Sequence, residues 1–449
     1  MTKRPNIVVI MADQLAPQFT STYGHPIVQT PNLDALAARG MRFDAAYCNS
    51  PLCAPARFAF MAGQLVTKIG AYDNAAEFPA SIPTFAHYLR QLGYRTCLTG
   101  KMHFVGPDQL HGFEERLTTD VYPSDHAWTP NWDDPHDPYV ARPEFWDRYE
   151  GVEIDLPTSP VAEDPHSLRL RSAIEATDVS VTDEQTANAR RAYYANTTYV
   201  DSKIGEIVQT LEEAELLDDT IVVFTGDHGD MLGERGLWYK MSTLDHSMRV
   251  PLVMAGPGIG HGVSPEPCSL VDMLPTMLDW AAPGDWPTLG MDLDGRSLVA
   301  AAAGAEPDPG ATALGEYCAE GSAHPIFMIR RGRWKYVHCD IDPPMLFDMD
   351  ADPDELQNLA ADPSYAEVEA AFASEVRERW DSAQIRADVL ASQRMRRAVH
   401  AGMSAGRRVD WDYQPTRDAS EEYVRNHMDW TVAAATTRFP PIAGATGRS

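Results

Sequence analysis

The sequence predicts an α/β fold: a mostly parallel sheet flanked by helices, then a smaller C-terminal α+β subdomain and a tail. Three observations carry this. Continuous β-branched apolar runs recur at Asn6–Met11 (NIVVIM), Thr220–Thr225 (TIVVFT) and Val250–Ala255 (VPLVMA), a pattern suited to strands covered on both faces. Helical segments stand between them, and such alternation is the mark of a parallel core. After about residue 300 the composition changes: AAAGAEPDPGA is a linker, and Phe327–Cys339 (FMIRRGRWKYVHC) reads as paired strands turning at Arg331-Gly332.

Each element has a local reason. Thr30-Pro31 opens a helix through Leu33, Leu36 and Ala37, and Gly40 closes it. Pro83 starts a second helix whose Phe85, Leu89 and Leu92 share one face; Gly93 ends it, and Tyr94–Leu98 follows as a strand. A long helical region spans about Glu184 to Leu217, with Tyr199, Ile204, Ile207 and Leu211 at helical spacing. These boundaries predict a catalytic domain over residues 1–305, a smaller subdomain over 306–406, and a tail over 407–449. The tail's aromatics (VDWDYQP, EEYVRNHMDW) predict docking against a surface, with an oligomer contact as one use.

Charge narrows the partners. Sixty-five acidic residues against 37 basic ones give a net charge of −28, which repels nucleic acid and anionic membranes. Any pocket for an oxyanion must be locally cationic against that background, whereas a cationic substrate is drawn in. The apolar run Ile7–Ala12 is too short for a secretory signal, and no stretch reaches membrane-spanning length. Six scattered cysteines with no CxxC pair argue against a zinc site or a disulfide framework. A cytoplasmic protein is expected.

Ligands of an open parallel sheet gather beyond the carboxyl ends of its strands. Asp13 follows the first run, Lys101 and His103 follow Tyr94–Leu98, and Asp227 and His228 follow the TIVVFT run. Cys53-Ala54-Pro55-Ala56-Arg57 reads as a helix start, with Arg57 one turn beyond Cys53. Together they suit displacement at a tetrahedral oxyanion. Asp13, Asp227, the Cys53 position and His228 offer ligands to a divalent cation, and flexible carboxylates favour calcium. Arg57, Lys101 and Lys240 can hold the anion, and His103 and His136 can move protons near neutral pH.

CAPAR matches the C-x-P-x-R signature of the formylglycine sulfatases of the alkaline-phosphatase superfamily. PNIVVIMADQ resembles their opening strand, GYRTCLTGKMH their Lys-x-His segment, and TGDHGDMLGERGLWYK their second metal segment. MRVPLVMAGPG and LFDMDADPDELQNLA match too, so the resemblance covers most of the chain. Within the family, AYDNAAEFPASIPTFAHYL, PHDPYVARPEFWD and EEYVRNHMDW look most like the choline sulfatases.

The resemblance implies hydrolysis of choline-O-sulfate to choline and sulfate, with calcium on Asp13, Cys53, Asp227 and His228. Arg57, Lys101, His103, His136 and Lys240 would surround the sulfate; Asn74, Trp128 and Glu316 would lie at the choline end. Cys53, oxidised to formylglycine by a formylglycine-generating enzyme, would act as a hydrated aldehyde, and the chain would form a homo-oligomer. Three departures stand out: Asp13-Gln14 in place of adjacent aspartates, Ala56 in place of serine, and a shortened WTPNWDDPHDPYVAR segment. A broader sulfatase, a phosphonate or phosphate ester hydrolase, and a remnant without turnover are the alternatives.

Overall fold

The computed structural model of the chain describes residues 4–405 apart from 107, 119, 121–138, 140, 175, 178, 285 and 287–291. In chain order its strands are β1 (Asn6–Ala12), β2 (Gly40–Phe43), β3 (Ala46–Tyr47), β4 (Cys97–Leu98), β5 (Glu115–Arg116), β6 (Thr220–Gly226), β7 (Leu252–Ala255), β8 (Gly262–Ser264), β9 (Cys268–Ser269), β10 (Thr312–Tyr317), β11 (Ile326–Arg331), β12 (Trp334–Cys339) and β13 (Asp342–Asp348).

The central sheet runs β1-β6-β7-β2-β8. β1 and β6 are parallel and in step, from Asn6 opposite Thr220 to Ala12 opposite Gly226. Hence the next residues, Asp13 and Asp227, leave the sheet side by side. That register brings together two carboxylates that lie far apart in sequence.

The α/β class holds, with three local departures. β7 runs antiparallel to both neighbours, because the β6–β7 connection carries no helix longer than Asp245–Met248 and cannot make a parallel crossover. β1 is an edge strand whose Ile7–Met11 stay half-buried, whereas every residue of β6 is buried. The Tyr94–Leu98 strand shrinks to Cys97–Leu98 and pairs with β5 in a small separate sheet.

Helices cover the sheet much as the apolar spacing predicts. Asp183–Glu213 starts from a Thr182–Gln185 capping box and buries Tyr193, Tyr194 and Ile204. Ile207, placed on the same stripe from sequence, is exposed. Asp201 on this helix accepts from the backbone N–H groups of Asn32 and Leu33, capping the neighbouring helix Pro31–Ala38. The helix read from Pro83 starts instead at Phe85, where Thr84 and His87 form a capping box.

The C-terminal sheet β10-β11-β12-β13 is antiparallel throughout. Its β11–β12 hairpin turns at Gly332, whose φ of 53° suits glycine. Phe327, Tyr336 and Leu346 pack on one face under Phe372, Val376 and Trp380. Ala313, Met328 and Val337 belong instead to the main core, with Met248 and Leu252. Buried Lys335 on β12 reaches Asp245 and Glu355, each at 2.7 Å.

Candidate active site

Cys53 is the first residue of a ten-residue helix, Cys53–Ala62, every position of which is buried. In its first turn Pro55 has no N–H, and Ala56 N donates to Leu52 O at 2.9 Å. Asn74 Oδ1 accepts from Ala54 N at 3.0 Å, so Asn74 stands beside the reactive position.

Four ligand atoms converge: one each from Asp13, Cys53, Asp227 and His228, all within 4.8 Å of one another. Cys53 Sγ lies 3.2 Å from His228 Nε2. His228 Nδ1 lies 2.9 Å from the Gly229 carbonyl, which can only accept, so Nδ1 carries the proton and Nε2 faces the cluster. Gly229 is required for close approach, since a Cβ there would meet His246 O at 2.0 Å. Asp227 Oδ1 accepts from the backbone of Gln14 and His228, and Oδ2 accepts from Arg57 at 2.9 Å.

The cationic wall is tightly built. Arg57 also donates to Asp13 at 3.1 Å and to the Lys101 carbonyl at 2.5 Å. Lys101 Nζ reaches both Asp13 oxygens, at 3.0 and 2.9 Å. Burial alone would push the Cys53 thiol up, but the Lys101 and Lys240 ammoniums override it and hold the thiol well below its ordinary value. Burial likewise opposes the Asp13 carboxylate, which Lys101 and Arg57 keep low. For Asp227 burial outweighs the pull of Arg57 and His228, and its carboxyl is raised.

Left-handed backbone clusters here as well: Gln14 at φ 57°, His103 at 61°, Tyr239 at 63° and Met241 at 75°. Each such non-glycine residue costs on the order of 1 kcal/mol, which packing must hold in place. Tyr239 and Met241 flank Lys240, whose Nζ donates to Gln14 Oε1 at 2.6 Å. The peptide around buried His103 is pinned by Asp120 Oδ2, which accepts from Met102 N at 3.1 Å and Phe104 N at 3.3 Å.

Asp13, Cys53, Arg57, Lys101, Asp227 and His228 thus meet in one place, with Asn74 and Lys240 attached to it. Glu316 does not join them. It is buried on β10, with its carboxylate on the Thr67 backbone and hydroxyl and on Trp380 Nε1. His136 and Trp128 lie outside the described residues, as do the shortened segment's Trp132-Asp133-Asp134 and the tail.

Sequence reasoning missed Glu320. Its Oε2 is buried without a hydrogen-bond partner among the described residues. Burial and nearby Asp73 raise its carboxyl to about 7, while Lys240 pulls the other way and Cys53 adds a further upward push. Glu320 follows the end of β10, whereas Glu316 points from inside the strand into the core.

The sulfatase family model matches residues 5–131 and 132–283. The chain belongs to the sulfatase family. This sulfatase also matches the model for the C terminus of choline sulfatase enzymes over residues 387–439, and that for the C terminus of N-sulphoglucosamine sulphohydrolase over 233–382. It is 42% identical to the choline-sulfatase of Rhizobium meliloti over an alignment of 518 positions, covering 98% of this chain and 99% of that one. Against arylsulfatase K of Danio rerio the identity is 29%, over 80% of each chain. A phosphonate monoester hydrolase from Silicibacter pomeroyi shares the fold, with a TM-score of 0.69 at 23% identity over 84% of this chain and 96% of the other.

Proposed function

We propose that this sulfatase hydrolyses choline-O-sulfate to choline and sulfate. The observation that carries the proposal is the convergence of Asp13, Cys53, Asp227 and His228 at the start of a buried helix, walled by Arg57 and Lys101. The 42% identity to a choline-sulfatase supports the substrate. Glu320, whose Oε2 is buried without a hydrogen bond among the described residues, supports a cationic leaving alcohol.

Calcium fits the donor set, which offers two carboxylates and one imidazole beside the Cys53 position. Bound there, it would polarise the ester oxygens and lower the pKa of a hydroxyl at the Cys53 position. Cys53 converted to formylglycine by a formylglycine-generating enzyme would supply two hydroxyls as a hydrate, one to attack sulfur and one to expel sulfate.

The chain's own groups have separable tasks. Arg57 and Lys101 hold the non-bridging sulfate oxygens and offset charge as the sulfur–oxygen bonds exchange. Asp227, its carboxyl raised by burial, takes the proton from the attacking hydroxyl. Lys240 or His136 gives a proton to the leaving choline oxygen, and His103 takes the proton from the second hydroxyl. Asn74 holds the Cys53 helix start beside the leaving group, Trp128 offers a ring face to the trimethylammonium group, and Glu320 takes the place first given to Glu316.

A homo-oligomer built through the 407–449 tail and a cytoplasmic location belong to the same proposal; six free cysteines fit a reducing compartment. So does a division of the chain after residue 305, which falls within the exposed stretch 303–310.

The test is choline release from choline sulfate by protein co-expressed with a formylglycine-generating enzyme, with the Cys53 peptide weighed by mass spectrometry. A Cys53→Ala protein retaining full activity overturns the mechanism, and light scattering of a monomer at micromolar concentration overturns the oligomer. A phosphonate ester turned over faster than choline sulfate would favour the hydrolase reading.

A further inference from the structure

The helix that opens at Cys53 has a first-turn donor that is met from another part of the chain. Pro55 has no N–H and Ala56 N donates to Leu52 O, whereas Ala54 N donates to Asn74 Oδ1 at 3.0 Å. The residue next to Cys53 is therefore held by the Asn74 side chain.

Asn74 stands inside a turn built on Asp73. Ala75 N donates to Asp73 Oδ1 at 3.0 Å, and Ala76 N donates to Asp73 O at 3.1 Å. Further along, Phe78 stacks on Phe58 of the Cys53 helix, with ring centroids 4.5 Å apart. The turn is thus fastened to the helix at Asn74 and at Phe78, and its base is Asp73.

That base is gripped from the far end of the chain. Arg396, on the helix Ser382–Ser404, meets Asp73 as a fork: Nη1 donates to Oδ1 at 2.7 Å and Nη2 to Oδ2 at 2.6 Å. The two side chains are only 22% and 13% exposed. The helix is itself seated, because Ile385 and Val389 pack against the main core, and Arg396 follows Val389 by about two turns on the same face. Met395 and Val399, on other faces, are exposed.

A fork does more than supply charge. An ammonium would leave the plane of the Asp73 carboxylate free to turn, whereas a guanidinium bonded to both oxygens fixes it. The fixed plane keeps Oδ1 on Ala75 N, and with it the turn that carries Asn74. Stability alone is a poor reason for an arginine here. Its Nε is buried without a hydrogen bond among the described residues, a desolvation cost that an apolar side chain would avoid.

We propose that Arg396 is a positioning residue: it clamps Asp73 so that Asn74 stays on Ala54 N and the reacting atom at position 53 keeps one place relative to Arg57 and Lys101. The proposal rests on sulfate-ester hydrolysis at Cys53 and not on choline as the alcohol. It deepens the role given to Asn74 above.

The first readout needs no substrate. In hydrogen exchange followed by mass spectrometry, peptides covering residues 71–78 should exchange about tenfold faster in Arg396→Gln than in wild type, with β6 peptides unchanged. The second uses aldehyde-bearing enzyme, with rates scaled to aldehyde content. Arg396→Gln should lower kcat about tenfold on both choline sulfate and 4-nitrophenyl sulfate, with KM moved less than about 3-fold. In an Asn74→Ala background the same substitution should change kcat less than about 2-fold, because the group through which it acts is gone. Arg396→Lys, which keeps the charge and loses the fork, should still lower kcat about 3-fold, and it decides the matter in the same background if Arg396→Gln fails to fold.

Unchanged exchange over 71–78, additivity with Asn74→Ala, or wild-type kcat in Arg396→Lys each overturn the proposal. Wild-type enzyme that cleaves 4-nitrophenyl sulfate but leaves choline sulfate intact would instead overturn the substrate assignment, and the clamp would still be judged on the aryl ester and by exchange.

Discussion

The two sides of the candidate site are built on different rules. On the side proposed to hold the sulfate, Arg57, Lys101, Asp13 and Asp227 form a connected set of ion pairs, with both Asp227 oxygens occupied. On the side proposed for the alcohol, Lys240 Nζ donates to Gln14 Oε1 and Glu320 Oε2 is buried without a hydrogen bond among the described residues. The first side is preorganised for a charge every sulfate ester carries. The second holds a buried carboxyl oxygen with no hydrogen bond among the described residues, and a group of that kind can tell one alcohol from another.

The largest effect should come from breaking the ion-paired side. Arg57→Ala leaves two carboxylates without their shared cation; it should cost about 3–5 kcal/mol in denaturant titrations. The same variant should lose about 10³-fold in kcat/KM. A variant of wild-type stability would show that the ion pairs do not hold the sulfate side together.

Glu320→Gln should sharpen the contrast from the other side. We expect kcat/KM for choline sulfate to fall about 30-fold, mostly through KM, with 4-nitrophenyl sulfate changed less than about 3-fold. Equal losses on both substrates would move Glu320 out of the alcohol subsite.

The same carboxyl should write itself into the pH profile. With its value raised to about 7, Glu320 is mostly neutral a unit below and mostly ionised a unit above. A cation prefers the ionised form, so kcat/KM for choline sulfate should climb about tenfold more steeply than for 4-nitrophenyl sulfate between about pH 6 and pH 8. Glu320→Gln should erase the difference; if the two slopes agree in wild-type enzyme, the carboxyl does not meet the cation.

The smallest effect lies outside the cavity. Burial lifts Glu355 from 4.5 to about 7, with Lys335 opposing and Asp245 reinforcing the rise. A carboxyl raised on folding binds its proton more tightly in the native state, so its contribution is full below about pH 4.5 and is lost as pH rises through about 7. Unfolding at several pH values should show that downward slope, and Glu355→Gln should flatten it.

Much of this was legible in the chain. Three apolar runs mark β1, β6 and β7, and the residues just past two of them are metal-ligand candidates, because strand ends and site coincide in this class of fold. The antiparallel course of β7 was hidden: a four-residue strand buried on both faces reads the same in either direction, and only the connection distinguishes them. Glu316 and Glu320 lie four residues apart, and choosing between them needs the end of β10, which composition does not mark. Gln14 looked like a missing ligand because its partners, Lys240 and Asp230, are more than two hundred residues away.

Lys335 has a consequence for how the molecule comes apart. It sits on β12 with no exposure, and its partner Asp245 opens the short helix Asp245–Met248, five residues after Lys240. Cutting the chain after residue 305 would take Lys335 from Asp245, leaving its carboxylate the Tyr47 hydroxyl at 3.1 Å, and strip Ala313, Met328 and Val337 from the larger core. We expect that the amino-terminal part does not fold alone, and that heating the whole protein melts both layers together in one calorimetric peak.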